Sequence, residues 1–159
     1  MTEKNQAENG QNRQGGGNYK RSEMVRDAMT RDLVTMDAQD TLYAAAGKMR
    51  DESVGDVLVT QSGKLIGIVT DRDIVVKAVA ESKDMQSTPL QELCQGELFT
   101  VNGDASLEDV MRLMEEKAVR RIPVVEGGKP IGIVSLGDLA ILGREREALE
   151  NISAAPPNN

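Results

Sequence analysis

The hydrophobic positions of this chain follow a helical period, then a strand period, and the same alternation occurs twice. In the first occurrence, four apolar residues lie at positions i, i+3, i+4 and i+7, on one face of a helix: Leu42, Ala45, Ala46 and Met49. Apolar runs follow at 57–59 and 65–69, and the glycine-containing stretch between them is typical of a hairpin turn. A second helix is predicted over about Asp71–Ala80.

The second occurrence is an internal repeat of the first, and no gap is needed to align the two. Leu33 recurs as Leu98, and the run Ile66–Val69 recurs as Ile131–Val134, both at a spacing of 65 residues. The repeat keeps the helix face as Leu107, Val110, Met111 and Met114. A second hairpin and a helix from about Leu136 onward complete this copy. Each copy is therefore predicted to contain a short strand, a helix, a hairpin and a second helix.

The repeat also predicts the domain organisation. Residues 1–21 are rich in Asn, Gln and Gly and have few large apolar side chains, so burial cannot offset their ordering entropy, and we expect a disordered tail. Unit 1 is predicted over residues 22–80, a linker over 81–89, and unit 2 over 90–150. Residues 151–159 are predicted to form a flexible tail.

One copy alone has too little apolar surface for a stable core. We therefore predict an α/β fold, more specifically α+β, in which two units related by a pseudo-twofold axis pack sheet to sheet. This packing leaves two equivalent clefts between the units.

Composition narrows the function classes. Aromatic residues make up 2% of the 159 residues and the net charge is −7, which together disfavour nucleic-acid binding. No apolar run approaches the roughly 20 residues that span a bilayer, so no membrane association is expected. The only cysteine, Cys94, cannot form an intramolecular disulfide, which predicts a reducing, cytoplasmic setting.

The chain contains no histidine. This removes the Ser–His and Cys–His nucleophile pairs, imidazole metal ligands and the commonest general base near neutral pH. We therefore predict that the chain is not an enzyme and that it has no catalytic or metal-binding residues. A hydrolase or transferase acting on nucleotides is the least favoured alternative.

The candidate chemistry lies where each hairpin meets its second helix. Gly67 precedes Thr70 and Asp73 at one junction, and Gly132 precedes Ser135 and Asp138 at the other. A hydroxyl followed three residues later by a carboxylate is an ordinary capping box. The same helix N-terminus offers unpaired N–H groups to a phosphate, and an aspartate can accept hydrogen bonds from ribose hydroxyls. The glycines would let a ligand approach the strand closely.

With these residues in register, the chain resembles a tandem pair of CBS domains (cystathionine β-synthase domains), or Bateman module, over about Met24–Arg144. The resemblance also rests on Val25–Met29 and Val119–Val125, and it is strongest to stand-alone bacterial pairs of the hypoxic or stress-response kind. Such modules bind AMP, ADP, ATP and sometimes S-adenosylmethionine or dinucleotides, and they commonly form homodimers. The resemblance implies a regulatory adenine-nucleotide ligand, no required cofactor, and an unidentified protein effector.

The resemblance also implies contacts for particular residues. Asp73 and Asp138 would hold ribose, Thr70 and Ser135 would contact phosphate or ribose, Thr35 and Thr100 would line the adenine ends, Val57 and Ile122 would form apolar walls, and Arg72, Arg120 and Arg121 would reach phosphate. Neighbouring strand residues point to opposite faces, so at most one of Arg120 and Arg121 faces a given cleft. A solvated strand edge is the other interpretation of both arginines.

Two functions stay open at this point. The chain is either a sensor of nucleotide state, which signals through a partner or through its dimer, or a ligand-independent protein-interaction scaffold in which the aspartates serve only as helix caps.

Overall fold

A computed structural model describes residues 24–141. The tails predicted at 1–21 and 151–159 lie outside these residues, as does the end of unit 2. The helices are α1 (Val25–Ala28), α2 (Leu42–Glu52), α3 (Asp71–Asp73), which continues as a π-helical segment (Ile74–Val79), a 3₁₀ turn (Leu90–Glu92), α4 (Leu107–Lys117) and α5 (Leu136–Ile141). The strands are β1 (Thr35–Asp37), β2 (Asp56–Gln61), β3 (Lys64–Thr70), β4 (Val101–Asn102), β5 (Arg121–Glu126) and β6 (Lys129–Ser135).

Helix α2 confirms the helical period. Thr41 caps it by accepting a hydrogen bond from the Ala44 N–H (3.2 Å), and Leu42, Ala45 and Met49 are buried. Ala46, which was predicted on the same face, is exposed. The contact stripe between this helix and its sheet is therefore narrower than the sequence pattern indicated.

Each unit contains a three-stranded sheet with the hairpin that the sequence predicted. The first strand runs parallel to the central strand, and the third runs antiparallel to it. The first hairpin turns at Ser62 and Gly63, and the second at Gly127 and Gly128, all with positive φ. Two successive positive φ angles are characteristic of the tight turn that matches strand twist.

The chain at the start of each predicted unit packs against the other unit. We name residues 24–34 leading segment 1 and residues 89–99 leading segment 2. The Val25 N–H donates to the Ala105 carbonyl (2.8 Å), and at the equivalent place the Leu90 N–H donates to the Asp40 carbonyl (2.8 Å). Val25 belongs to the core of unit 2 and Leu90 to the core of unit 1. Each core is therefore completed by chain from the other side of the repeat.

The two units also meet along their hairpins. The Leu65 N–H donates to the Gly128 carbonyl (2.9 Å), and Asp56 pairs with Arg121. Asp56 and Arg121 occupy the same position in the two repeats, so their ion pair lies at the pseudo-twofold axis. The predicted fold class and the pairing of the two units are confirmed.

Within residues 24–141, none of the helices has the length and apolar character that crossing a bilayer requires.

Candidate functional site

One cleft, which we name the Asp73 cleft, has a volume of about 370 Å³ and lies between β3, leading segment 2 and β5. Its apolar wall is formed by Ile66, Ile68, Leu98, Phe99, Val119 and Pro123. Its charged residues are Asp73, Lys77, Glu97 and Arg121. The cleft therefore joins an apolar surface to groups of both charges.

Both predicted capping boxes are present. The Thr70 hydroxyl accepts a hydrogen bond from the Asp73 N–H (3.0 Å), while Asp73 Oδ2 accepts from the Thr70 N–H (3.0 Å) and Oγ1–H (2.8 Å). Ser135 and Asp138 repeat this arrangement, with distances of 3.2, 2.7 and 2.7 Å. These bonds fix each carboxylate at the start of a helix. Capping and ligand binding are compatible, because a carboxylate can accept about four hydrogen bonds.

The two carboxylates differ in their next neighbour. Lys77 Nζ lies 2.8 Å from Asp73 Oδ1, and the sequence places Leu142 at the position corresponding to Lys77. Burial opposes the ionisation of Asp73, but the bonds from Lys77 and Thr70 outweigh it and hold the pKa of this carboxyl below its ordinary value. Asp73 is therefore a stable anion at neutral pH, paired with a cation that Asp138 does not have at the same place.

The lowered pKa of Asp73 predicts a dependence of stability on pH. A carboxylate whose folded-state pKa is depressed stabilises the fold above its unfolded pKa, and this contribution is lost as the pH falls through the folded pKa. Asp73→Asn is therefore expected to flatten the acid side of the stability profile, measured by urea unfolding from about pH 7 to about pH 3. Asp104→Asn, in an exposed turn, controls for the loss of one negative charge. Equal flattening in both variants would contradict the assignment.

The two glycines that precede the capping boxes accommodate side chains of the leading segments. A Cβ added at Gly67 would lie 2.7 Å from both Cβ and Sγ of Cys94, and one at Gly132 would overlap Met29. Cys94 and Met29 are equivalent positions of the repeat. The expectation that these glycines make room for a ligand is therefore corrected: they allow the leading segment to cross the strand closely.

Leading segment 1 is joined to its neighbouring strands at both ends. Thr30 and Ile133 exchange two backbone hydrogen bonds of 2.8 and 3.0 Å, and the Leu58 N–H donates to the Val34 carbonyl (2.9 Å). The space on this side is a more open depression that does not reach Asp138. Its lining residues are Arg31, Asp32, Leu33, Val34, Glu52 and Val54.

Leading segment 2 has no corresponding backbone bonds within the part of the chain that the structure describes. The position equivalent to Leu58 is Pro123, which has no N–H, so the Phe99 carbonyl lacks the donor that the Val34 carbonyl has. Strand β4 accordingly begins only at Val101. At the other end, Gln95 and Ile68 do not form the bridge seen between Thr30 and Ile133. The Asp73 cleft is open because its main-chain wall is not joined to the neighbouring strands.

Two predicted site residues lie elsewhere. Val57 and Ile122 have no exposed surface and belong to the cores of units 1 and 2. They cannot form walls of the cleft, and Ile66, Ile68 and Pro123 form its apolar strand surface instead. The prediction for Val57 and Ile122 was wrong because the central strands are buried on both faces.

Four further predicted residues are exposed and do not line the Asp73 cleft: Thr35, Thr100, Arg72 and Arg120. Of the two adjacent arginines, Arg121 lines the cleft. This agrees with the expectation that at most one of them faces it. Thr70 contributes through its bonds to Asp73.

Sequence reasoning missed Phe99 and Lys77. Phe99 is the only phenylalanine of the chain, and the Lys117 ammonium lies 5.2 Å from the centroid of its ring. Lys77 follows Asp73 by one helical turn, a spacing at which opposite charges pair. Both signals were present in the sequence, and neither belongs to the motif on which the prediction was based.

Cys94 lies at the floor of the cleft as a neutral thiol. Burial, together with the nearby Asp73 charge, raises the pKa of Cys94 to about 11. Its Sγ–H donates to the Leu90 carbonyl (3.4 Å). The side chain therefore packs as a small apolar group rather than as a reactive thiolate.

Three features define the class of protein: a duplicated α/β unit, leading segments that each pack in the core of the other unit, and a capping-box aspartate beside each sheet. The CBS domain model matches residues 25–79 and 90–143, and this chain belongs to the CBS domain family. The resemblance inferred from the sequence is therefore confirmed.

Three comparisons illustrate the relationship. The CBS domain-containing protein YhcV of Bacillus subtilis is 40% identical over 133 residues, which cover 81% of this chain and 94% of that protein. Hypoxic response protein 1 of Mycobacterium tuberculosis is 34% identical over 117 residues, covering 73% and 82%. The crystal structure of Hypoxic Response Protein I, with two coordinated zinc ions, has a TM-score of 0.70 at 33% identity and covers 76% of this chain and 98% of that chain. These relatives are stand-alone CBS proteins, and the matches leave little of their length for a catalytic domain.

Proposed function

We propose that this protein is a regulatory module that binds one adenine nucleotide per chain in the Asp73 cleft and signals through a protein partner or its own dimer. The observation that carries the proposal is the cleft itself. It brings a fixed carboxylate, an apolar surface with a Phe99 carbonyl that has no donor from Pro123, and two cations around one volume of about 370 Å³, a size within the range of small-ligand sites.

Each part of a nucleotide has a complementary group in the cleft. The ribose hydroxyls donate to Asp73, whose Oδ1 they share with Lys77. The base packs against Phe99, and the Phe99 carbonyl, which has no donor from Pro123, accepts a hydrogen bond from an exocyclic amino group. Arg121 binds phosphate through its planar fork of donors.

The cleft on the side of leading segment 1 and Asp138 lacks the charged groups that are proposed to bind the nucleotide. Asp56 replaces Arg121, Leu142 replaces Lys77 and Gly137 replaces Arg72 at equivalent positions. The bridge between Thr30 and Ile133 also joins its main-chain wall to β6. We therefore assign the nucleotide to the Asp73 cleft alone, and Asp138 to capping α5.

A homodimer supplies one route for the signal. The helices of unit 1 expose four large apolar or aromatic side chains: Tyr43, Val75, Val76 and Val79. Exposed apolar side chains of this size are candidates for contacts with a partner or a second copy. No required cofactor, catalytic step or membrane contact enters this function, and a single cysteine, which cannot form an intramolecular disulfide, suits a reducing, cytoplasmic setting.

The experiment that tests the proposal is thermal unfolding and calorimetric titration of nucleotide-free protein with AMP, ADP, ATP, NAD and S-adenosylmethionine. A ligand at about 100 times its Kd adds about 2.7 kcal/mol, or roughly 5–10 °C in Tm for a domain of this size. We expect one site per chain. Asp73→Asn should weaken binding at least about tenfold, since a charge-assisted hydrogen bond contributes about 1.5–3 kcal/mol, while Asp138→Asn should leave affinity unchanged.

The Oδ1 of an asparagine can still accept the hydrogen bond from the Thr70 or Ser135 N–H, so both variants should fold. No shift with any of the five ligands would reject the proposal. The exposed apolar side chains of Tyr43, Val75, Val76 and Val79 would then favour the second candidate, a ligand-independent interaction scaffold. Equal losses in the two aspartate variants would reject the assignment to a single cleft.

A further inference from the structure

We propose that Asp56 is an intramolecular competitor for Arg121, so that the Asp73 cleft admits only ligands whose anionic group can displace this carboxylate. The inference rests on the proposed function, in that a ligand occupies the Asp73 cleft. It adds a specificity-determining residue that lies outside the nucleotide motif and that the sequence did not single out.

The ion pair between Asp56 and Arg121 joins the two units at their axis. Arg121 lines the Asp73 cleft and its side chain is 47% exposed, whereas the Asp56 side chain is 17% exposed. The two residues start the central strands β2 and β5, and each sits opposite the hydroxyl residue that begins a capping box. Sheet pairing therefore fixes their backbones, and only the arginine has room to move.

The surroundings of Asp56 explain why it competes with a ligand for Arg121. Asp56 lies opposite Thr70 in the strand register, and the Thr70 hydroxyl donates to Asp73, the carboxylate that is proposed to receive ribose. When a phosphate binds Arg121, the largely buried Asp56 carboxylate loses its cation. An unpaired charge with little access to water is destabilising. The phosphate is also repelled by that uncompensated carboxylate.

The consequence is discrimination by charge. An uncharged nucleoside cannot bind Arg121 strongly and leaves the ion pair intact, so it gains only from ribose and base contacts. A nucleotide exchanges one anionic partner of Arg121 for another, and its affinity is set by the difference between them. Removing the Asp56 charge is therefore expected to strengthen the binding of nucleotides and to leave the binding of adenosine unchanged.

The experiment compares wild-type protein with Asp56→Asn in calorimetric titrations with adenosine, AMP, ATP and inorganic tripolyphosphate. We expect affinity for the three anions to rise roughly three- to tenfold, because a partly exposed ion pair contributes only modestly. The affinity for adenosine should stay within about twofold of wild type. Asp51→Asn is the matched control, because it removes the same charge from an exposed aspartate that also pairs with an arginine, Arg50. The double variant Asp56→Asn/Arg121→Gln should lose the gain, which shows that Asp56 acts through Arg121.

The outcomes separate this inference from the proposed function. Nucleotide binding that is equal in wild type, Asp56→Asn and Asp51→Asn overturns the competition and leaves the nucleotide site standing. Stronger tripolyphosphate binding by Asp56→Asn, with no adenosine compound bound by any variant, supports the competition and rejects the adenine ligand. An equal gain in Asp51→Asn overturns the competition in favour of overall charge.

A measurement on wild-type protein keeps the test independent of the folding of Asp56→Asn. The Arg121 Nε–H signal is assigned in NMR spectra by its loss in Arg121→Gln. Addition of AMP should shift this signal as the guanidinium changes partner, whereas adenosine should not. A signal that AMP leaves in place while AMP binds would overturn the inference.

Discussion

Leu90→Ala is expected to destabilise the whole protein by about 3 kcal/mol, because Leu90 begins the predicted unit 2 but packs in the core of unit 1. Removing a fully buried leucine side chain costs about 2.7–5.0 kcal/mol in well-packed cores. Leu90 has no exposed surface, and it belongs to the same buried core as Leu42, Ala45 and Val59. Since Leu90 joins the two units, we expect both to unfold in one transition at a lower urea midpoint.

Ile141→Ala is the control for this variant, because Ile141 is 86% exposed and its truncation should change stability by less than about 0.5 kcal/mol. Urea unfolding followed by circular dichroism gives both free energies. Two separate transitions in Leu90→Ala, with one at the wild-type midpoint, would show that the crossed leading segments do not couple the units.

Gly67→Ala should destabilise the protein by about 2–3 kcal/mol, the upper range for overpacking a rigid site. The added Cβ would lie 2.7 Å from Cβ and Sγ of Cys94 and 3.3 Å from its Cα, and the last of these is backbone. Leading segment 2 must therefore move away from β3. Because this segment forms a wall of the Asp73 cleft, nucleotide affinity should fall together with stability.

Gly47→Ala provides the matched control. Gly47 lies within helix α2 and has no atom within 4 Å of an added Cβ, so alanine should stabilise the helix by up to about 1 kcal/mol. The double variant Gly67→Ala/Cys94→Gly removes both of the atoms at 2.7 Å and should recover part of the loss. An unchanged urea midpoint in Gly67→Ala would contradict the close crossing.

The parts of the fold that the sequence predicted are those set by short-range patterns. The helical spacing of Leu42, Ala45 and Met49 found the buried face of α2, and the hydroxyl–carboxylate spacing of Thr70 and Asp73 found the capping box. The constant spacing between the copies predicted two equivalent sheets. In each case the residues that carry the signal are neighbours in the element that they define.

The walls of the cleft could not be predicted in the same way. Val57, Leu58 and Val59 are all buried, because β2 is a central strand covered on both faces. Alternation therefore carries no information about which side of such a strand faces a cleft. The choice of Val57 and Ile122 as wall residues failed for this reason.

The packing of each leading segment against the other unit could not be predicted from the sequence either, because it depends on contacts between distant parts of the chain. Val25 meets Ala105, and Leu90 meets Asp40. One local signal was available, however. Pro123 stands in a predicted central strand, where a proline interrupts the hydrogen-bond ladder, and this interruption opens the main chain at Phe99.

The ion pair at the axis has a further consequence for self-recognition between chains. If two copies of unit 1 associated as unit 1 and unit 2 do here, Asp56 would face Asp56; if two copies of unit 2 did so, Arg121 would face Arg121. Both arrangements bring like charges together, whereas the arrangement within one chain brings opposite charges together. The difference between the two halves at this position therefore favours pairing of unit 1 with unit 2 over pairing of two identical units. This disfavours assemblies in which like units of neighbouring molecules pair with each other.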